Sequence, residues 1–128
     1  MTFSYCRNIR LGDTDAAGVI YFARGLSICH EAYEEWLETK ELSIQKILQE
    51  RKIALPIVRA EIDFFKPIVC GDKVEIRLEL KDLEESKYTI SYQIFKPTEP
   101  DRILAKASTV HVCINPQTKQ RVKFNNFF

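Results

Sequence analysis

A carboxylate sits three residues ahead of a glycine, just before a helix should open, in Gly12-Asp13-Thr14-Asp15-Ala16-Ala17-Gly18-Val19-Ile20-Tyr21-Phe22. Carboxylates ordinarily titrate near ~4, so an aspartate in a solvated loop is an anion at neutral pH, fit to attack a carbonyl carbon or to take a proton from water. The opening turn of a helix presents unpaired backbone N–H groups and roughly half a positive charge, the complement of a developing oxyanion. Asp15 facing such donors makes a site for carbonyl chemistry. The same residue types also build an ordinary turn and cap, and the loop alone does not choose between the two. Asp13 fits the structural role better than a chemical one, because a turn aspartate bonds its own loop amides.

The elements around this loop can be read from periodicity. Phe3 to Ile9 reads as a short strand ended by the Gly12-Asp13 turn. From Tyr21 to Lys40, apolar residues at Leu26, Cys29, Tyr33, Trp36 and Leu37 recur at three- and four-residue spacing, while Glu31, Glu34, Glu35 and Glu38 fall mostly elsewhere. That pattern predicts an amphipathic helix lying across a sheet. Ser43 is placed to cap a second, shorter helix with Ile44, Ile47 and Leu48 on its inner face. After Pro56 the chain turns to strands, over Ile57–Pro67, Val74–Leu80, Tyr88–Ile94 and Ile103–Ile114, with turns at Gly71-Asp72, Glu84-Glu85-Ser86 and Pro97–Pro100. Helices early and consecutive strands late argue for an α+β fold and against a doubly wound parallel sheet. Phe64, Phe65 and Cys113 weaken the polar alternation, which suggests that another subunit covers part of the sheet.

Composition narrows the function. At 128 residues the chain is long enough for one domain with its own core, and 45% hydrophobic with 29% charged residues is ordinary for a globular protein. A net charge of +1, with Lys and Arg dispersed, gives no reason to expect a nucleic-acid partner. Cys6, Cys29, Cys70 and Cys113 form no CxxC pair and have no histidine cluster beside them, which argues against zinc and thioredoxin-like chemistry. No secretory signal or bilayer-length apolar run is visible, so no membrane insertion is expected. Reduced thiols in a cytoplasmic protein are the economical expectation.

Three segments in this order, the Gly12–Phe22 loop, Ile62-Asp63-Phe64-Phe65-Lys66-Pro67 followed by Cys70-Gly71-Asp72, and Val110-His111-Val112-Cys113-Ile114, resemble the hotdog-fold acyl-CoA thioesterases of the 4-hydroxybenzoyl-CoA thioesterase type. The resemblance covers nearly the whole chain. It implies a single hotdog domain over residues 1–128, with a curved antiparallel sheet of about five strands wrapped around one long central helix. It also implies hydrolysis of an aromatic acyl-CoA without metal or other cofactor, in a homo-oligomer, dimer or tetramer, with shared active sites. Carried over residue by residue, Asp15 is the catalytic carboxylate, as nucleophile or general base, and the backbone N–H of Phe22 is the oxyanion donor. Gly18, Val19 and Tyr21 fall at substrate-binding positions, and Ser86 and Lys87 open the strand where relatives contact the nucleotide part of coenzyme A. A related branch has a histidine where this chain has Phe22, so a histidine-assisted route is not expected.

Other readings compete. A different hotdog subclass uses a glutamate on the central helix, which makes Glu31 the chief rival to Asp15. His30 and His111, the only histidines, have no Ser or Cys partner in a recognisable nucleophile motif, and there is no GxSxG elbow. A non-catalytic acyl-binding module of the same fold is the alternative from another class, and retention of Asp15 and Gly18 favours the enzyme. A thioesterase of broader or aliphatic specificity is the alternative within the class.

Overall fold

The computed structural model describes residues 2–124. Its elements are β1 (Thr2–Asn8), a single 3-10 turn at Leu11–Asp13, α1 (Phe22–Thr39), α2 (Ile44–Glu50), β2 (Ile57–Phe64), β3 (Lys73–Lys81), β4 (Lys87–Lys96) and β5 (Glu99–Val112). The five strands form one sheet in the order β1-β3-β4-β5-β2, with every neighbouring pair antiparallel. An α+β fold of one long helix on a five-stranded sheet is the expected hotdog architecture.

The core follows from strand alternation. Val74, Ile76 and Leu78 on β3 are buried, as are Tyr88, Ile90, Tyr92 and Ile94 on β4. They meet Ile28, Cys29, Ala32, Tyr33, Trp36 and Leu37 of α1. Side chains on a strand alternate in period two and those on a helix recur in period 3.6, so each element turns one face to the other. The opposite face of the sheet carries Glu75, Arg77, Glu79, Thr89, Ser91 and Gln93, none of them buried. Phe95, two residues after Gln93, is an apolar residue on that face, covered by Arg77, whose guanidinium carbon is 4.6 Å from the ring centroid.

Several boundaries differ from the sequence expectation. Tyr21 and Lys40 are the caps of α1 rather than its first and last residues. Leu48 is 70% exposed, so it is not on the inner face of α2. That helix is only seven residues long, and Ile47 fills its single buried position; Leu48, about 100° further round, faces water. β2 stops at Phe64, because the N–H groups of both Phe65 and Lys66 turn to the one carbonyl of Leu104. β5 starts at Glu99 and includes Pro100. Beyond Phe64↔Ala105 β2 no longer pairs with β5, so a proline there leaves no ladder donor missing on that edge. Cys113 is buried within the chain, so it marks no subunit contact. Exposed apolar residues gather instead on β2 and the segment after it, at Ile57, Val58, Phe64, Phe65 and Val69, and at Leu11, Tyr21 and Phe22 around the start of α1. β2 is a sheet edge with exposed residues at seven of its eight positions, Ile62 being half-buried.

Candidate active site

Between the 3-10 turn and α1 the chain makes a small closed loop. Asp15 N–H donates to the Val19 carbonyl and Gly18 N–H to the Asp15 carbonyl, both at 3.0 Å. Thr14 and Ile20 pair across the base as an isolated bridge. The turn requires a left-handed residue, and Gly18 supplies it with φ of +81°. Asp15 Oδ1 accepts the Ala17 N–H at 2.8 Å, which fixes the carboxylate over the turn and leaves Oδ2 without a partner among the described residues. Ile20 N–H donates to the Ile68 carbonyl at 2.7 Å, and Val19 bridges Val69, so the loop is tied to the segment that follows β2.

A cleft of about 450 Å³ opens between these two segments. Asp15, Val19, Ile20 and Phe22 form one wall, and Phe64, Phe65, Lys66, Pro67 and Ile68 form the other. The volume lies in the range usual for small-molecule sites, and the walls are apolar around one carboxylate and one ammonium. Phe22 is the first residue of α1, so its N–H has no partner within the helix. Tyr21 provides no side-chain cap, and the first turn holds no acid that would neutralise the helix start. The arrangement can hold an acyl group between apolar walls, accept oxyanion charge at the helix start and bring Asp15 to the carbonyl carbon.

The α1 side of the cleft is set by a close approach. A Cβ at Gly25 would fall 2.8 Å from both Ile62 Cδ1 and Phe64 Cζ. Only a glycine lets the first turns of α1 rest on β2 with Phe64 in place.

Behind the loop is an ion cluster. Asp13 is 3% exposed; its Oδ1 accepts from Arg24 Nε (3.1 Å) and a terminal Arg24 nitrogen (2.7 Å), and its Oδ2 from Arg7 and from the Arg10 N–H. Burial alone would raise the Asp13 pKa, but the Arg10 amide and the two guanidinium groups outweigh it and hold the carboxyl below its ordinary value. Arg7 also donates to Glu31 at 2.7 Å, and the Tyr5 hydroxyl donates to the same carboxylate at 2.9 Å. Burial, and then this bond to Glu31, push the Tyr5 hydroxyl pKa up.

The remaining expected residues are distributed unevenly. Val19 and Phe22 line the cleft with Asp15; Gly18 shapes the loop, and Tyr21 stands outside the lining with its ring against that of Phe22 at 4.9 Å. Ser86 and Lys87 sit elsewhere. Lys87 pairs with Val112, seven residues along β5 from the Ala105 that pairs with Phe64, about 23 Å at the ~3.3 Å rise of a strand. Ser86 Oγ accepts from Arg121 Nε at 3.1 Å. Glu31 faces a separate groove with Tyr5, Glu34, Glu35 and Glu38, away from the helix start. His30 is paired with Glu34 on the surface of α1. His111 is fully buried between the rings of Tyr33 and Tyr88, at 4.4 and 4.9 Å, with Nε2 at 2.8 Å from Thr109 Oγ1. Lys66, Pro67 and Ile68 in the far wall, and Gly25 beneath it, were not singled out as site residues from the sequence. A glycine interrupting a helical stripe was the available signal for Gly25. No group of three or more metal-ligating side chains converges among the described residues, and no helix among them is long and apolar enough to cross a membrane.

The family model described as Thioesterase-like superfamily matches residues 9–128. A 1,4-dihydroxy-2-naphthoyl-CoA hydrolase of Gloeothece citriformis is 53% identical over 117 residues, 91% of this chain and 82% of its own length. The enzyme of the same name from Picosynechococcus is 50% identical over 125 residues, 94% of this chain and 85% of its own. Among solved structures, a 1,4-dihydroxy-2-naphthoyl-CoA thioesterase from Synechocystis superposes with a TM-score of 0.92 at 40% identity, covering 99% of this chain and 92% of the other.

Proposed function

Since the chain belongs to the Thioesterase-like superfamily, we propose that it hydrolyses an aromatic acyl-CoA thioester in the cleft beside Asp15, with 1,4-dihydroxy-2-naphthoyl-CoA as the substrate. The observation that carries the proposal is one carboxylate in an apolar, aromatic-walled cleft whose rim is the uncapped start of α1. Relatives at 43–53% identity bearing that enzyme's name support the acyl group, and with it a step in phylloquinone biosynthesis yielding 1,4-dihydroxy-2-naphthoate and coenzyme A.

The chemistry follows from the positions. The thioester carbonyl oxygen takes the Phe22 N–H, and the acyl carbon lies over Asp15. In one route Asp15 Oδ2 attacks, the C–S bond breaks and coenzyme A leaves as its thiolate; water then hydrolyses the acyl–aspartyl anhydride and restores the carboxylate. In the other, Asp15 takes the proton of an attacking water, and the same C–S bond breaks. The thiolate is a good leaving group, so neither route needs a strong general acid. Phe64 and Phe65 supply flat apolar surface against a fused ring, and Lys66 offers the cleft's one positive charge.

The active assembly is read as a homo-oligomer, dimer or tetramer. One observation supports this: β2 is an unpaired sheet edge that exposes Ile57, Val58 and Phe64. Its four cysteines are free thiols, as a reducing cytoplasm keeps them.

The test is coenzyme A release, followed as free thiol, across naphthoyl, benzoyl, short-chain and long-chain thioesters. Asp15→Ala should cost ~10²-fold or more in kcat with the fold intact. Near wild-type turnover in that variant, or an equal loss in Glu31→Ala only, would move the chemistry elsewhere. A long-chain substrate preferred tenfold over the dihydroxynaphthoyl one would make this a general acyl-CoA thioesterase.

A further inference from the structure

The strongest polar construction among the described residues stands behind the cleft and has no place in the chemistry above. Asp13 joins three separate pieces of the chain. Its Oδ2 takes Arg7 from β1 and the Arg10 amide ahead of the 3-10 turn; its Oδ1 takes both Nε and a terminal nitrogen of Arg24, in the first turn of α1. Its own carbonyl accepts the N–H of Tyr21, the α1 cap, at 2.8 Å. Two residues beyond Asp13 is Asp15, and two residues before Arg24 is Phe22. We propose that Asp13 is a positioning residue for the hydrolysis, a clamp with Arg24 that fixes the Asp15 carboxylate against the Phe22 N–H.

Stability alone is a poor account of this cluster. An arginine in the first turn stands at the positive end of the helix dipole, an unfavourable place that the buried carboxylate offsets. Buried ion pairs and triads are often matched or exceeded in stability by apolar residues of the same volume, because desolvating the charges costs about as much as their attraction returns. What they add is direction: a carboxylate receiving a forked guanidinium and a backbone amide has one orientation. Direction is what this site requires. Attacker and oxyanion donor belong to different elements, and a misplacement of ~1 Å between them costs on the order of 10²-fold in rate. Arg7 carries the same constraint onward, because its second terminal nitrogen holds Glu31, two turns further along α1.

This inference rests on Asp15 as the catalytic carboxylate, so the test carries both. Asp13→Asn, Arg24→Gln, the double variant and Asp15→Asn are compared by steady-state kinetics at least 15 °C below each one's measured Tm. The expected result is a kcat at least tenfold lower in Asp13→Asn, and three- to tenfold lower in Arg24→Gln, with KM within twofold of wild type. The double variant should be no slower than the slower single, because the two remove one clamp. Arg24 is partly solvated, 38% exposed, so Arg24→Gln carries the test should Asp13→Asn fail to fold. Folded single variants with kcat within twofold of wild type, while Asp15→Asn is inactive, would overturn the clamp and leave the catalytic assignment standing. Kinetic losses that multiply in the double variant would assign the two side chains independent roles and also overturn it. An active Asp15→Asn would remove the catalytic assignment, and the clamp with it.

Discussion

Gly25→Ala isolates one joint of the site, because the added methyl has only one place to go. Its Cβ would stand 2.8 Å from Ile62 Cδ1 and from Phe64 Cζ, and 3.1 Å from Phe64 Cε1. To reach an ordinary 3.4 Å contact, each nearest atom must retreat by 3.4 − 2.8 = 0.6 Å. Both are the far ends of side chains, and Phe64 is 39% exposed, so its ring can swing while the half-buried Ile62 has less freedom. Crowding of this kind costs ~1–3 kcal/mol, and replacing a helix-interior glycine by alanine returns ~1 kcal/mol. The net is a loss of about 1 kcal/mol, a Tm lower by roughly 4 °C for a domain of this size. Because Phe64 is a cleft wall, the same substitution should raise KM for the aromatic thioester several-fold with a smaller change in kcat. Thermal unfolding and a substrate titration on the same preparation give both numbers. A variant more stable than wild type by 1 kcal/mol, with KM unchanged, would refute the close approach of α1 to β2 and its part in shaping the cleft.

Burial pushes His111 down to about 4, and Nδ1 faces the Leu55 backbone without a well-formed hydrogen bond, so this imidazole is neutral in the fold at neutral pH. Its folded pKa is the depressed one: the unfolded chain binds a proton between about pH 6.5 and 4 that the folded chain refuses, and stability falls as pH drops through that window. A difference of 6.5 − 4 units corresponds to about 3 kcal/mol, fully lost below pH 4. Chemical denaturation from pH 7 to 4 should therefore show a slope in wild type that shrinks by about that amount in His111→Gln, and parallel curves would contradict it. Ser43 Oγ accepts the Lys46 N–H at 3.1 Å at the start of α2, so Ser43→Ala should cost about 1 kcal/mol by denaturant melts, with kcat unchanged because α2 lies outside the cleft.

What the sequence disclosed is what local rules govern. The alternation of Val74, Ile76, Leu78 and Leu80 against Glu75, Arg77 and Glu79 could belong only to a half-buried strand, and it is β3. The stripe through Cys29, Tyr33, Trp36 and Leu37 put the central helix within a residue of its observed ends. Readings failed where the deciding partner is remote. Phe65 breaks the alternation of Ala60, Ile62 and Phe64 without marking where the strand stops, so the end of β2 is visible only once Leu104 is seen to take both following amides. Pro100 reads as a turn residue until β2 is known to stop short of it. Spacing points Leu48 inward, but two turns of helix are too short to establish a stripe.

The candidate site divides along the same line. Asp15, Gly18 and the start of α1 lie within eight residues, and their geometry follows from a turn that demands a left-handed glycine and a helix that leaves its first amides unpaired. The opposing wall, Phe64 to Ile68, arrives from more than forty residues away, brought there by the bond from Ile20 to the Ile68 carbonyl and the bridge from Val19 to Val69. Phe64 and Phe65 were legible as aromatics, but nothing in their spacing said which loop they would face. Asp13 shows the limit most clearly. Its place in a turn suggested bonds to its own loop, and the Arg10 amide is one; its stronger partners are Arg7 on a strand and Arg24 on a helix, each an unremarkable surface cation in the linear sequence. A buried carboxylate needs such partners to stay charged, so a turn aspartate flanked within about a dozen residues by arginines on two different elements is the signal to look for. On the proposed reading the pair of aspartates divides the work: the exposed Asp15 reacts, and the buried Asp13 holds it in place.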